Sequence, residues 1–360
     1  MAEAPGSRMR DEALQAPQAV AALLAAEPAA WRTLARELAA QPPQALLTVA
    51  RGSSDHAASY ASYLTMARLG RLVSSLPMSL ITLYPPRLRC AGVLALAWSQ
   101  SGQSPDLVVP LQHIAAGGGR TLALVNDTAS PLARAAQRVL ALHAGPETSV
   151  AATKSCINQF VAGARLVAAW ARAEARLGAA AQDGDDRAFE RALQTLPAAL
   201  RQAVQADWAP GLAALTGARQ LYVIGRGTGL PAAQEMALKF KEVCGLQAEA
   251  WSGAEVQHGP MALVQRGFPM LVLAPRGPAQ AGLLALAAQM QARGAQVLLA
   301  APADTPDAAA VRLPLAGTGH PDLDPVSLLQ SFYLGVEALA RARGHHPDRP
   351  PHLHKVTRTH

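Results

Sequence analysis

The sequence predicts an α/β protein in which parallel sheets are flanked by helices, organised as two similar halves. Three observations carry this. Short apolar runs of strand length recur, each stopping at a polar or glycine-rich turn. A segment with helical spacing follows most of them, which is the βαβ rhythm of a parallel sheet. The outline of strand, glycine-containing turn and long helix occurs twice, from Leu46 and again from Leu221. Composition agrees: half of the 360 residues are hydrophobic and only 4% are aromatic, a mix that suits helices packed on sheets better than a β-sandwich. That length accommodates two domains of ordinary size.

Taken in order, residues 1–44 carry helical material over Leu14–Ala26 and Trp31–Ala40 and stop at Pro42-Pro43. Leu46–Ala50 is the first strand. It opens into Arg51-Gly52-Ser53-Ser54-Asp55-His56, where Gly52 permits a tight turn and the serines and Asp55 suit a helix start, with helix over Ala57–Leu69. Val73–Leu83 mixes a strand with a connection. Val93–Trp98 is an apolar run of buried-strand length, and helical spacing (Leu107, Val108, Leu111, Ile114) follows Pro105 to about Ala116. Leu122–Val125 and Val139–His143 are further strands, separated by a helix from Ser130 to about Gln137. A long helix then covers Thr153–Arg176. Ala180–Asp186 is a polar break leading into a helical segment, Phe189–Leu215. The second half begins with the strand Leu221–Ile224, the turn Gly225-Arg226-Gly227-Thr228-Gly229 and a helix over Pro231–Val243. Met270–Ala274, Val297–Ala300 and Val311–Pro314 are its later strands, and Ala279–Ala292 and Val326–Arg341 are helices. A Pro/His/Arg-rich tail ends the chain.

The richest chemistry lies in Ser99-Gln100-Ser101-Gly102-Gln103-Ser104, at the carboxyl end of a buried strand, where open α/β sheets bind ligands. Ser104 is placed to cap the helix that Pro105 begins. Three hydroxyls, an amide, a flexible glycine and the N–H groups of a helix start can cradle a phosphate. The same residues also describe an ordinary polar turn, so the loop alone does not decide. Its counterpart in the second half, Ala274-Pro275-Arg276-Gly277-Pro278, has no hydroxyl, so the cradle is expected once per chain.

Other classes are disfavoured. The formal charge of +7 is spread along the chain with no Lys/Arg run, which argues against a nucleic-acid partner. Cys90, Cys156 and Cys244 are odd in number and lack metal spacing, so no disulfide framework or metal site is expected. With no secretory signal and no apolar run of membrane-spanning length, a cytoplasmic protein is expected. GxGxxG and GxxxxGK[ST] are both missing, so no nucleotide cofactor is expected. Only four of the 32 basic residues are lysines: Lys154, Lys239, Lys241 and Lys355. Lysine can condense with a carbonyl, as arginine ordinarily does not, so each is of interest.

Several segments together carry a resemblance: Gly52-Ser53-Ser54, Ser99-Gln100-Ser101-Gly102, Glu147–Lys154 (ETSVAATK), Glu235–Glu242 (EMALKFKE), Ala248–Pro260 (AEAWSGAEVQHGP) and Leu353–Thr357 (LHKVT). In this order the chain resembles the tandem sugar-isomerase (SIS) domain family. Within that family it is most similar to the isomerase half of glutamine–fructose-6-phosphate aminotransferase and to the stand-alone glucosamine-6-phosphate deaminases. The resemblance implies two SIS domains, each a flavodoxin-like three-layer sandwich. Expected bounds are a helical segment over 1–44, a sugar-phosphate-binding domain over 45–180, a helical linker over 181–215, a second domain over 216–342, and a tail over 343–360. No glutaminase domain fits before Ala45, so ammonia is the expected nitrogen species.

As the resemblance implies, the sugar phosphate sits among Ser53, Ser99, Gln100, Ser101 and Ser104, with Ser54 and Val150 also lining the pocket. Glu242 is the base that moves a proton between C1 and C2, and Lys239 assists it electrostatically. His258 opens the ring, reaching across from the other subunit of a homodimer. Lys355 approaches the carbonyl end, flanked by the His354 backbone. Taken alone, Glu242 and Lys239 would more often be a solvated ion pair, His258 a structural hydrogen bonder and Lys355 a loose tail charge. Aldose–ketose chemistry needs one carboxylate over adjacent carbons and an acid/base for the ring oxygen, with no cofactor or metal. Gln103, Ser104, Arg51 and His354 depart from the aminotransferase pattern, and the first three favour a stand-alone branch. The expected activity is glucosamine-6-phosphate deamination. Alternatives are another phosphosugar deaminase, deglycase or isomerase acting on galactosamine 6-phosphate or a fructosamine 6-phosphate, a non-catalytic sugar-phosphate sensor, or a silent dimer partner.

Overall fold

The computed structural model describes residues 6–84, 86–178, 184–305 and 311–355. In chain order the elements begin with α1 (Arg8–Leu14), α2 (Ala16–Ala25), α3 (Pro28–Ala40), β1 (Ala45–Val49), α4 (Ser53–Leu69), β2 (Val73–Ser75) and α5 (Ser79–Leu83). There follow β3 (Val93–Ser99), α6 (Pro105–Ala116), β4 (Arg120–Val125), α7 (Pro131–Ala135), β5 (Arg138–Ala141), α8 (Lys154–Arg176) and α9 (Gly184–Gln205). The remainder comprises α10 (Ala209–Leu212), β6 (Gln220–Gly225), α11 (Gly229–Cys244), β7 (Gln247–Ser252), β8 (Pro269–Leu273), α12 (Gln280–Ala292), β9 (Gln296–Ala301), β10 (Val311–Pro314) and α13 (Asp324–Ala342).

The chain forms two compact units and passes between them more than once. One comprises Gln18–Glu147, Ser155–Gln194 and the tail from His354; the other comprises the chain up to Pro17, Thr148–Lys154 and Thr195–Leu353. Each holds a wholly parallel five-stranded sheet, ordered β2-β1-β3-β4-β5 in the first and β7-β6-β8-β9-β10 in the second. The two orders are the same pattern, so the predicted pair of parallel α/β sheets is what the chain builds.

Burial explains why the central strands read as unbroken apolar runs. Every residue of β3 beyond Val93 is buried, as is every residue of β8, because helices cover both faces. In the first unit a core of Val49, Ala95, Ala97, Leu107, Leu111, Ile114, Ala123 and Val125 joins the central strands to α6. Tyr60 of α4 stacks on Phe160 of α8, ring centroids 4.8 Å apart. In the second unit Ile224, Met270, Val272, Leu283, Leu286, Val297 and Leu299 form the matching core, and Phe240 of α11 meets Phe332 of α13 edge-on at 5.1 Å.

Three local features depart from the sequence expectation. The helix expected over Leu14–Ala26 is α2, and a separate helix the sequence did not reveal, α1, precedes it and is closed at Gln15, whose amide returns to carbonyls of the preceding turn. The ambiguous stretch Val73–Leu83 resolves into a short edge strand and a one-turn helix. Strand β7 carries no apolar run because it is a half-exposed edge strand. Of the polar break at 180–186, residues 180–183 lie outside the described residues. The three cysteines are buried, as expected, and burial pushes the Cys244 thiol up to about 12. No described helix is long and apolar enough to cross a membrane.

The Tyr60–Phe160 stack gives a test of the first unit's core. Phe160→Ala is expected to lower unfolding free energy by about 3–5 kcal/mol in urea titration. A loss under about 1 kcal/mol would show that the α4–α8 packing contributes little there.

Candidate active site

In the first unit the strand connections leave β1 and β3 in opposite directions, which makes the crevice at their carboxyl ends a topological switch point. The turn after β1 delivers Ser53 and Ser54 as the first residues of α4, while Ser99 ends β3 and the turn after it carries Gln100 to Ser104. Ser99 is buried, and its Oγ accepts the Gly102 amide at 2.9 Å; Ser101 Oγ accepts the Gln103 amide at 3.3 Å. Gly102 is obligatory on two counts. Its φ is +64°, and a Cβ there would lie 2.1 Å from Ser130 Oγ. Ser104 occupies the N-cap position with extended backbone, but its hydroxyl makes no capping bond to α6, which corrects the expectation that it caps that helix. Arg51 Nε lies 2.9 Å from Oδ2 of buried Asp106, tying the turn after β1 to the first turn of α6. The sequence singled out Arg51 as a departure but gave no hint of Asp106 as its partner.

The same unit holds Lys355. Its Nζ donates at 3.1 Å to Oε2 of buried Glu147, which also accepts the Ser155 hydroxyl at 2.5 Å while Oε1 takes the Ser155 amide at 3.1 Å. The tail lysine is therefore tethered. His354 beside it is exposed and Gln100 half-buried. Val150 belongs to the other unit and is half-buried on a loop whose Thr148 and Ser149 amides donate to Glu12 of α1.

In the second unit α11 carries a polar ladder on one face. Lys239 is 1% exposed, with its Nζ 2.5 Å from Glu242 Oε2 and 3.4 Å from Oε1 of fully buried Glu235. Spacings of three and four residues place all three groups on one helix face. Tyr333 of α13 donates its hydroxyl to Glu235 Oε1 at 3.0 Å. A buried ammonium needs such partners. Glu242, the outermost member at 22% exposed, presents a carboxylate oriented by a charge-assisted hydrogen bond and open to solvent. The sequence quoted Glu235 within a motif without giving it a role, and Tyr333 was missed, since nothing local marks a partner 98 positions away.

His258 ends the 3₁₀ turn Glu255–His258 and is exposed, with no hydrogen bond to a described residue. The chain leaves it through Gly259 at φ +144°, a conformation that only glycine readily adopts. Buried Lys154 donates to Gln15 Oε1 at 2.6 Å, a structural contact, while Lys241 is exposed. Among the described residues no His/Cys/Asp/Glu group could hold a metal ion.

The SIS domain profile matches residues 41–169 and 214–311. The chain is 37% identical over 319 residues to the isomerizing glutamine–fructose-6-phosphate aminotransferase of Aeropyrum pernix, covering 86% of this chain and 50% of that protein. Identity to the enzyme of the same name from Halobacterium salinarum is 33% over 319 residues, covering 86% and 51%. The chain thus spans about half the length of these curated relatives. Among solved structures, a candidate phosphosugar isomerase from Silicibacter pomeroyi DSS-3 superposes with TM-score 0.86 at 42% identity, over 95% of this chain and all of that one (100%). Glucosamine-6-phosphate deaminase from Thermotoga maritima gives TM-score 0.71 at 20% identity, covering 98% and 100%, a likeness of fold alone.

Two variants probe these networks. Lys239→Met leaves Glu235 buried without its ammonium and is expected to cost about 3–5 kcal/mol in chemical denaturation; a neutral result would contradict the burial of that pair. Glu147→Gln removes the charge that tethers Lys355. Since a charged hydrogen bond contributes roughly 1.5–3 kcal/mol, trypsin is expected to cut after Lys355 about tenfold faster in that variant. Unchanged cutting would mean that the tail is held by other contacts.

Proposed function

The chain belongs to the SIS domain family, and from that footing we propose that it deaminates glucosamine 6-phosphate, giving fructose 6-phosphate and ammonia. The observation that carries the proposal is the Glu235–Lys239–Glu242 ladder, in which two buried charges orient one solvent-reaching carboxylate. A single positioned carboxylate is what a 1,2-proton transfer requires.

In this reading Ser53, Ser54, Ser99, Gln100, Ser101, Ser104 and Val150 hold the sugar phosphate. Hydroxyls and backbone amides suit an anion bound without a metal. His258 shuttles a proton from the C1 hydroxyl to the ring oxygen, which opens the hemiacetal to the aldehyde. Glu242 removes the C2 proton, the electron pair moves through C1 onto the carbonyl oxygen, and that oxygen is protonated to give an enolamine. Returning the proton to C1 leaves a ketimine at C2. Water adds there and ammonia leaves, so Glu242 ends as it began and the balance needs no redox partner. Lys355 donates to the C1 oxygen as charge develops on it, and the His354 backbone flanks that end. A homodimer in which His258 serves the neighbouring subunit's sugar is part of the same proposal.

Purified protein given glucosamine 6-phosphate and no cofactor is expected to release ammonia and fructose 6-phosphate in equal amounts. Glu242→Gln is expected to lower kcat by about 10²-fold or more while leaving sugar-phosphate affinity near wild type. A parallel panel of galactosamine 6-phosphate and fructosamine 6-phosphates checks the sugar. Turnover of one of these in place of glucosamine 6-phosphate would overturn the substrate, and no turnover of any would overturn the reaction.

A further inference from the structure

The second unit has its own cavity, of 440 Å³, at the carboxyl ends of β8, β9 and β10. Arg276 from the turn after β8, Pro302 and Asp304 from the segment after β9, and Gly317, His320 and Asp324 from the β10–α13 connection line it. None of these residues takes part in the reaction proposed above. The turn that contributes Arg276 is the counterpart of the serine loop, without hydroxyls.

Two charged groups of opposite sign are built into its wall differently. Arg276 is exposed and holds Asp304 through one nitrogen, Nη2, 2.7 Å from each carboxylate oxygen. An exposed pair of this kind contributes little and is easily exchanged for a better anion. Asp324 is the opposite case. It is 4% exposed, and its Oδ1 is fixed by the Thr318 amide and hydroxyl, both at 2.9 Å. Its Oδ2 accepts from no described residue. Burial pushes the Asp324 carboxyl up, against the two Thr318 hydrogen bonds and the weaker pull of nearby His320 and Arg276. Arg276 and Asp324 are near enough to influence each other electrostatically. A purely anionic ligand would meet Arg276 favourably and Asp324 unfavourably. A ligand with an anion at one end and an ammonium at the other satisfies both.

We propose that this cavity is a second ligand site, built for a small zwitterion whose phosphate or carboxylate displaces Asp304 from Arg276 and whose ammonium reaches Asp324 Oδ2. Amino-sugar phosphates and free α-amino acids share that chemistry. The volume favours the larger class, since small-ligand pockets run from about 300 Å³ upward and a hexose phosphate fills more of this one.

The test uses the full chain and isothermal titration with 2-amino-2-deoxyglucitol 6-phosphate, whose reduced C1 prevents turnover. Two sites per chain are expected, and Arg276→Ala is expected to weaken one of them by about tenfold or more. Asp304→Ala, which removes the competing carboxylate from an exposed pair, is expected to tighten that site by about two- to fivefold. Arg276 and Asp304 are both exposed, so neither variant threatens folding; Asp324→Asn, at a buried position, is supporting only. Glucitol 6-phosphate, which lacks the amine, is expected to fill only the site that ignores Arg276. Displacement of the analogue by glycine would assign the second site to free amino acids, and no displacement would assign it to amino-sugar phosphates. A single site insensitive to Arg276, or equal filling by glucitol 6-phosphate, overturns the proposal. The serine-loop reading is checked separately, because its failure removes the site that survives Arg276→Ala and leaves the other unchanged.

Discussion

A parallel strand covered on both faces can carry no chemistry along its length. That constraint governs both sheets here, since β3 and β8 are buried nearly end to end and every polar group they deliver has to appear where they stop. The serine turn follows β3 and the Arg276 turn follows β8, at equivalent places in equivalent strand orders. What differs is the chemistry of the turns: hydroxyls and a forced glycine in one, a guanidinium in the other. Duplication has kept the scaffold and separated the contents.

Several deeply buried ionic groups make more than one polar contact: Lys239 with two carboxylates, Glu147 with a lysine and a serine, Asp324 with both donors of Thr318. Such arrangements add little net stability over an apolar core, but removing one member leaves an uncompensated charge. Their value lies in orientation. Glu242 is held at one oxygen, and in the reaction proposed for it a carboxylate that addresses two adjacent carbons in turn gains from not rotating.

Much of this was legible in the sequence. Apolar runs ending at turns located nearly every strand, and the repeated outline gave the duplication, because buried parallel strands leave an unmistakable local pattern. The edge strand β7 escaped because a half-exposed edge has no such run. The candidate site was legible as residue types and only partly as partners. Glu235 and Lys239 sit on one helix and were within reach of spacing rules. Tyr333, Asp106 and the Lys355–Glu147 contact were not, for they join segments 98, 55 and 208 positions apart. Ser104 shows the limit from the other side: its position fitted a helix cap and its backbone adopts one, yet the hydroxyl makes no capping bond.

The rarity of lysine has a chemical consequence. Lys154 and Lys239 are buried and hydrogen-bonded, Lys355 is tethered, and Lys241 is the exposed one of the four. Open-chain reducing sugars condense indiscriminately with accessible side-chain amines, and the adducts rearrange into lasting glycation damage. Guanidinium groups supply the surface charge of this chain without inviting that reaction. A protein of this composition can remain among aldose phosphates with few accidental targets for them, and the amines it does carry are kept where placement, not exposure, decides what they meet.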